Sequence, residues 1–482
     1  MLGAINNKYF FESFGNSKLS KFLYSDFYYL SIVAFIFLFW GLGQKITDGS
    51  MIIWGIAIIL VLISALLIIQ RDVMPIIPLL FMATCIFSSM EFPDNLWILL
   101  IFIGLAFVSL AFHLGFYRLE EFKFGKMFLP LVLFAIAILL GGIGSRFETN
   151  STGKPLGCIL LAVLPLLFSV MMLNYIDREK SVTTYIAKAG VYFGLLVVLE
   201  LTLYYKLNWQ IMQEDVYHVP HLGWAVSNSV AAILLMTFPM GFYLFYKAKN
   251  KILSFVYLFL GTIEYFAVFP TTSRGALIFG TIEFITALLV TLFVVKGKKR
   301  LGYIIAVGVS FIFLIILYFS IKQEIIAWLK YIFHDGMDDS GRFELYREAI
   351  ACFFEYPIFG VGLGYIGRMP LIDSTGIYQF HDTLLQMLAC LGIVGLLAYL
   401  YYYFVKLEII FEKMNVFGLF LLVLFIGYEG YSLINVGTVK GFPDCAWIVA
   451  LMVALEIEAK QYEPKIYTRI KNMIKKRVQK RQ

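Results

Sequence analysis

The sequence predicts an all-α fold, a polytopic bundle of about fourteen membrane-spanning helices. Its 482 residues are 61% hydrophobic and 15% charged, and the mean hydropathy is +0.83. A soluble domain carries about 25% charged residues, so this chain lacks the polar surface that water requires. Apolar runs of about 20 residues, enough to cross a bilayer core, recur along its length. Because a backbone in lipid must satisfy its own hydrogen bonds, each run is predicted to be a helix.

The predicted spans cover residues 27–44, 51–69, 73–90, 96–114, 127–144, 156–173, 185–204, 225–246, 252–270, 275–295, 301–321, 381–404, 416–434 and 443–458. The alternating pattern of an outer-membrane barrel is absent from the sequence. The five cysteines are scattered and form no CxxC pair, so the sequence carries no cysteine metal or redox motif.

Lysine and arginine residues predict the orientation of these spans in the cell membrane. With the N-terminus inside, most of the 39 basic residues fall in inner segments, including the 296–300 cluster and the tail KIYTRIKNMIKKRVQKRQ. This bias follows the positive-inside rule and predicts that both termini are cytoplasmic. A basic tail could bind nucleic acid, but beside so many spans we favour anionic inner-leaflet lipid as its partner.

One outer connection, residues 322–380, is 59 residues long. Loops of this length are usually functional or disordered. We expect an amphipathic stretch, KQEIIAWLKYIF, then a cap at Asp338-Asp339-Ser340 and a helix, GRFELYREAIACFFEY, that stops at Pro357. The following GLGYIG matches GxGxxG but follows no strand, so its glycines predict a tight turn or close approach rather than a nucleotide loop.

Three side chains at the predicted outer edge are the main candidates for chemistry. Arg274, in PTTSRGALIFG, would form an anion site with the N–H groups that open span ten, or would only snorkel and fix the helix end. Arg342, at the start of the loop helix, could bind phosphate oxygens bidentately. His381, at the start of span twelve, could take up a proton near neutral pH, although a lone interfacial histidine is commonly structural.

Neighbours of these residues are weaker candidates for substrate binding. Tyr346 and Arg347 follow Arg342 by four and five positions. For Arg347, and for Arg368 further along, a solvated helix face is the interpretation that we favour. Asp382 follows His381 directly, and on a helix it would point about 100° away, which makes it a poor partner for the imidazole.

No cofactor and no metal site are predicted. His218 and His221 are three residues apart, but no third ligand has a suitable spacing. Asp338 and Asp339 leave the question of a metal open. The carboxylates within the apolar spans are also functional candidates: Glu200, Glu264, Glu283 and Glu429. They would suit a proton-coupled transporter, and Glu264 and Glu429 could instead pair with arginines near the outer cavity.

The ordered segments TTSRGALIFG, SGRFELYREAI, PIFGVGLGY and HDTLLQMLACLGIVGLLAYL resemble the bacterial O-antigen ligase and polysaccharide polymerase superfamily, or Wzy-like proteins. The resemblance covers residues 205–410 and includes GWAVSNSVAAILL, which holds Asn228. The family's SRG arginine corresponds to Arg274, its loop arginine to Arg342, and its histidine to His381. Two departures are Asp382, where the family more often has Asn, and Tyr346, where the ligases tend to have Leu.

This resemblance implies a membrane glycosyltransferase of the GT-C type. The expected donor is a glycan on undecaprenyl pyrophosphate at the outer leaflet, and the expected acceptor is a glycan or lipid. Arg274 and Arg342 would stabilise charge on the pyrophosphate, and His381 would be the general base. Asn228, Tyr346, Arg347 and Asp382 are the expected substrate contacts. The active site would therefore be extracytoplasmic.

Several functions remain open at this stage. A capsule, exopolysaccharide or O-antigen polymerase is favoured over a ligase that joins the glycan to a lipid core, wall polymer or protein. A lipid-glycan flippase or transporter is a second class, but the polar residues concentrate at one face and no internal repeat is visible. The predicted organisation is N-terminal spans 1–204, a catalytic region 205–410 and C-terminal spans with the basic tail 411–482.

Overall fold

Helices form nearly all the regular structure of the described residues. The computed structural model describes residues 18–46, 49–88, 97–117, 119, 121–146, 155–178, 180–208, 220–320, 322, 326, 341–367, 378–412, 414–437 and 442–459. Within these ranges, the extended pairing is one isolated bridge between His221 and Val226. The basic tail, His218, Asp338, Asp339 and Arg368 lie outside them.

We number the helices in chain order. They are α1 Lys18–Leu23, α2 Asp26–Gly43, α3 Ser50–Ile69, α4 Ile76–Met82, α5 Trp97–Phe116, α6 Phe128–Leu140, α7 Pro155–Tyr175, α8 Val182–Leu207, α9 Ser227–Lys247, α10 Lys251–Phe266, α11 Arg274–Val294, α12 Gly297–Ser320, α13 Arg342–Glu355, α14 Thr383–Glu412, α15 Val416–Leu424 and α16 Phe442–Ala459. A 3₁₀ turn, Ala83–Ile86, extends α4, and another, Phe269–Thr271, follows α10. Beyond α15 come a π-helical turn, Phe425–Glu429, and a short segment, Gly430–Ser432.

Every predicted span overlaps one of these helices. Within the described residues, eight helical stretches are long and apolar enough to cross a membrane, and four shorter apolar helices accompany them. The prediction of an all-α, multi-pass membrane protein is therefore confirmed, whereas the number fourteen stays a prediction.

Helix α9 lies at the centre of the bundle and packs against α8, α10 and α11. Nearly all its side chains from Val230 to Phe245 are buried. Gly241 on α9 meets Gly261 on α10 so closely that a Cβ built on Gly241 would lie 2.7 Å from the Gly261 Cα. Small residues at such crossings let two backbones approach in the absence of a hydrophobic driving force.

The two ends of α9 have different polar chemistry. At its C-terminal end, Lys247 Nζ lies 3.3 Å from Glu458 Oε1, and the same carboxylate accepts from Thr183 N at 2.8 Å. At its N-terminal end, Asn228 faces uncharged hydroxyl groups, described below. The 21 residues of α9 separate these ends by about 30 Å.

The predicted loop helix is confirmed as α13, which ends just before Pro357 as expected. Gly341, with φ of 76°, precedes it, while the predicted cap at 338–340 and all of the amphipathic stretch except Lys322 and Ile326 lie outside the described residues. The glycine-rich turn does approach another chain segment closely. A Cβ on Gly360 would lie 2.3 Å from the Cys390 carbonyl carbon, so this turn rests on the backbone of α14.

Helix α14 differs from the predicted span twelve in three ways. It begins at Thr383 rather than residue 381, because His381 has a φ of 54° and cannot belong to a right-handed helix. It extends past residue 404 to Glu412, so Lys406 lies within the helix and not in an inner connection. It also breaks at Gly392, whose φ of 64° and ψ of −161° only glycine adopts readily.

Candidate functional site

Arg274 is the first residue of α11, one position before the predicted start of span ten. The turn before it is held by two hydrogen bonds: Tyr205 donates to the Pro270 carbonyl, and Ser227 donates to the Thr271 carbonyl. The arginine side chain is half-buried. A guanidinium beside the N–H groups of a helix start provides positive charge and hydrogen-bond donors to an anion.

A chain of uncharged polar groups connects the start of α11 to the start of α14. Ser273 Oγ donates to Asn228 Oδ1 at 2.7 Å and lies 3.0 Å from the Tyr431 hydroxyl. Asn435 Nδ2 donates to the Tyr431 hydroxyl at 2.7 Å. Thr383 Oγ1 then donates to the Asn435 carbonyl at 3.3 Å. We call these five residues the polar chain; they bring Arg274, through Ser273, and His381, two positions before Thr383, into one neighbourhood.

His381 lies on a constrained backbone between buried Phe380 and α14. Phe380 N donates to Gln386 Oε1 at 2.8 Å, and Gln386 Nε2 donates to the Tyr378 carbonyl at 2.9 Å. The histidine has positive φ and a half-buried side chain. Non-glycine residues with positive φ are uncommon and cluster at functional sites, so this conformation is notable for a predicted general base.

Asp382 caps α14. Its Oδ1 accepts from Leu385 N at 2.8 Å, the geometry of a helix N-cap. Burial raises the pKa of this carboxyl above its ordinary value, and hydrogen bonds from the Leu385 and Leu384 backbone N–H groups oppose the shift. Asp382 therefore has a structural role, and its predicted contact with substrate stays a prediction.

Arg342 is the first residue of α13, and this helix packs against α14. One turn along, the Tyr346 hydroxyl donates to the His381 carbonyl across 3.4 Å, a long hydrogen bond. The side chains of Arg342 and Tyr346 are half-buried, whereas Arg347 is exposed. Tyr346 thus contacts the backbone of the candidate base, and its helix begins with the candidate phosphate-binding arginine.

Sequence reasoning missed most of the residues that join these elements. Ser273, Thr383, Tyr431 and Asn435 were not singled out from the sequence, and Asn435 lies beyond the helical segment that holds Tyr431. The polar chain depends on how the starts of α9, α11 and α14 meet the Gly430–Ser432 segment and Asn435 after it, and the sequence of a single span does not specify such contacts.

The intramembrane carboxylates have varied surroundings. Glu429 forms a buried ion pair with Lys406, so the expected pairing with an arginine is wrong for this residue. Glu200 accepts from Trp224 Nε1 at 2.7 Å. Glu264 packs against Gly194, and Glu283 packs against Gly427 in the π-helical turn.

Across the residues that the structure describes, no group of three or more His, Cys, Asp and Glu side chains could hold a metal ion. His221 is described, while its suggested partner His218 is not. The independence from metal that the sequence favours stays a prediction.

The structure is that of a multi-pass, all-α membrane protein, in which Arg274 and His381 adjoin opposite ends of the polar chain. Residues 256–400 match the Wzy_C family model, described as O-antigen ligase. This segment of 145 residues is therefore similar to the O-antigen ligase and Wzy superfamily.

The matched segment contains Arg274, Arg342 and His381 and begins after Asn228. It falls within the predicted catalytic region 205–410, whose own boundaries stay a prediction. No curated protein gives a significant match to the chain.

Proposed function

We propose that this protein is a polymerase that transfers a glycan from an undecaprenyl-pyrophosphate carrier to an acceptor glycan at the outer leaflet. The observation that carries the proposal is the hydrogen-bonded neighbourhood of the α11, α13 and α14 N-termini, inside a segment that matches the O-antigen ligase model. Each of these helix starts carries or adjoins one of the three candidate residues.

In this proposal, the acceptor hydroxyl gives its proton to the His381 imidazole as its oxygen attacks the anomeric carbon of the donor sugar. The bond between that carbon and the pyrophosphate oxygen breaks, and undecaprenyl pyrophosphate leaves with the bonding electrons. Arg274 and Arg342 stabilise the charge on the departing group. Attack opposite the leaving group inverts the anomeric configuration, and the imidazolium later releases its proton to water.

The polar chain supports this assignment because it fixes the relative positions of two helix starts without introducing another formal charge. Uncharged hydroxyl and amide groups do not compete with phosphate for the arginines. A ligase that uses a lipid core, wall polymer or protein as the acceptor would use the same residues, so the acceptor is the open part of the proposal.

The test is glycan extension from purified lipid-linked repeat units in proteoliposomes. We expect His381→Ala and Arg342→Ala each to abolish extension, since loss of a general base alone costs about 10²–10⁴-fold in rate. His221→Ala and Arg300→Ala are the matched controls, because both replace exposed residues outside the candidate site.

Membrane insertion and monodispersity must match the parent protein in all four variants. Full-length polymer from either His381→Ala or Arg342→Ala would refute the assigned roles. Transfer of a single glycan block to a different acceptor, without chain growth, would instead identify the protein as a ligase.

A further inference from the structure

A partly open cavity of about 290 Å³ lies between the C-terminal half of α13 and the glycine-rich turn. Glu355 and Tyr356 line one side, and Tyr365 and Ile366 line the other. Its volume is close to the lower limit of ligand pockets, about 300 Å³, which suits a ligand of one or two sugar rings. No role for this cavity follows from the candidate active site.

The chemistry of the walls favours a neutral saccharide. The half-buried Tyr356 ring can offer a flat apolar face to the C–H side of a sugar, and a carboxylate accepts hydrogen bonds from sugar hydroxyl groups. The Glu355 side chain is exposed, and the buried Glu348 carboxylate lies behind the wall formed by Tyr365. Two acidic side chains disfavour a pyrophosphate here, so the donor head group belongs at the arginines instead.

The inner wall of the cavity is rigid. Glu348 accepts from the Tyr365 hydroxyl at 2.8 Å and from the Tyr378 hydroxyl at 2.9 Å. The Tyr365 ring stacks on Phe380 with 6.1 Å between centroids and 22° between planes. Because both tyrosines are fixed by one carboxylate, the wall is formed before a ligand arrives.

This wall also supports the candidate base. Phe380, which stacks on Tyr365, directly precedes His381 in the chain. One wall of the cavity is therefore in contact with the segment that carries the candidate base. A sugar held here would belong to the acceptor glycan.

We propose that the cavity between α13 and the glycine-rich turn is a binding subsite for a sugar unit of the acceptor glycan. The subsite positions the acceptor so that its terminal hydroxyl reaches His381. The assignment to the acceptor rests on the proposed glycosyl transfer, whereas saccharide binding as such does not.

Ile366→Trp provides a steric test. Ile366 is 51% exposed and lines the cavity, so an indole at this position fills the site without disturbing the core. Ile358→Trp is the matched control, because Ile358 is 56% exposed on the same loop and does not line the cavity. Glu355→Gln removes the negative charge of the side chain with almost no change in its volume.

Binding is measured by saturation-transfer NMR in nanodiscs, with the oligosaccharide released by mild acid from lipid-linked repeat units as the probe. We expect wild-type protein and Ile358→Trp to bind it equally. Ile366→Trp and Glu355→Gln should weaken binding by about tenfold or more, as expected for one lost contact. Unchanged binding in Ile366→Trp, equal loss in Ile358→Trp, or no binding by wild type would each overturn the subsite.

Transfer kinetics test the assignment to the acceptor. Ile366→Trp should raise the KM for the released oligosaccharide by about tenfold, and the KM for the lipid-linked donor should not change. A rise confined to the donor KM would overturn the acceptor assignment. If wild type binds the probe but transfers nothing to it, the proposed function fails while the saccharide site stands.

Discussion

Asp382 differs from the Asn that is more common at this position in the superfamily that the sequence resembles. Its carboxylate accepts the N-cap hydrogen bond of α14. Asparagine and aspartate are about equally good N-caps. The residue at this position therefore retains one structural function, and the difference between the two side chains is the charge.

Replacement of Asp382 should separate capping from charge. We expect Asp382→Ala to lower the free energy of unfolding by about 0.5–2 kcal/mol, because the cap is lost. Asp382→Asn should keep the cap and also the activity. Thermal denaturation in detergent would measure both, and equal losses in the two variants would contradict the capping role.

The difference in stability between Asp382→Asn and the wild-type protein should depend on pH, because burial raises the pKa of Asp382. A carboxyl with a higher pKa in the folded state binds more protons there, so its contribution to stability is present below the unfolded pKa. That contribution disappears as pH rises through the folded pKa. Asp382→Asn should therefore gain stability relative to wild type as pH rises through this window, and a constant difference would argue against the burial effect.

Lys406 and Glu429 form an ion pair inside the bundle. The Lys406 side chain is 0% exposed and that of Glu429 is 5% exposed, and the ammonium also lies 4.6 Å from the Tyr402 ring centroid. Replacement of one partner leaves the other as an unpaired buried charge. This lowers the free energy of unfolding far more than replacement of both partners by neutral side chains.

Lys406→Met should accordingly destabilise the protein by about 3–5 kcal/mol, and the double variant with Glu429→Gln should recover most of this loss. Unfolding in mixed detergent micelles provides the measurement. Lys247→Met is the matched control, because its partly exposed pair with Glu458 should contribute only about 0–1 kcal/mol. A loss in Lys406→Met no larger than in the control would refute the argument.

The break in α14 determines how the turn after α13 packs. A Cβ on Gly392 would lie 2.4 Å from the Ile358 carbonyl carbon, while Ile393 N donates to the Pro357 carbonyl at 2.9 Å. The interruption of α14 thus allows the end of α13 and the turn after it to pack against the helix backbone.

Gly392→Ala should lower both stability and glycan extension. The left-handed φ alone costs an alanine about 1–3 kcal/mol, and the contact with Ile358 adds to this cost. Gly104→Ala is the control, because a Cβ at Gly104 meets nothing within 4 Å. Equal behaviour of the two variants in thermal denaturation and extension assays would contradict this account.

Elements and contacts differed in how well the sequence predicted them. Each predicted apolar run overlaps a helix, and Pro357 marked the end of α13, because both signals are local; the short helix α1 precedes the first apolar run and was not predicted. The start of α14 was two residues off and its break was missed, since glycine is common in membrane helices and gives no local warning. The partner of Glu429 was also missed, because it depends on how two helices face each other.

Across the whole molecule, charged and uncharged polar contacts lie at opposite ends of the central helix α9. Lys247, Thr183 and Glu458 meet at one end of α9, and the polar chain occupies the other. The basic connections predicted to be cytoplasmic include Lys247. The end of α9 with the charged contacts is therefore the end that the positive-inside rule predicts to face the cytoplasm.

Cysteine labelling in whole cells would determine this orientation. We expect a membrane-impermeant maleimide to label Ile358→Cys from outside and Lys249→Cys only after permeabilisation, since both positions are exposed. The parent carrying its native cysteines is the control; Cys85, Cys352 and Cys390 are buried. Labelling of Lys249→Cys in intact cells would reverse the proposed sidedness.

The left-handed backbone of His381 has a practical consequence for any mutational study of catalysis. An alanine at this position removes the ring and also disfavours the main-chain geometry, so its defect mixes two causes. Asparagine visits positive φ more readily than alanine and has no ionisable side chain. The difference in turnover between the two substitutions therefore reports how much the enzyme depends on backbone shape rather than on the imidazole itself.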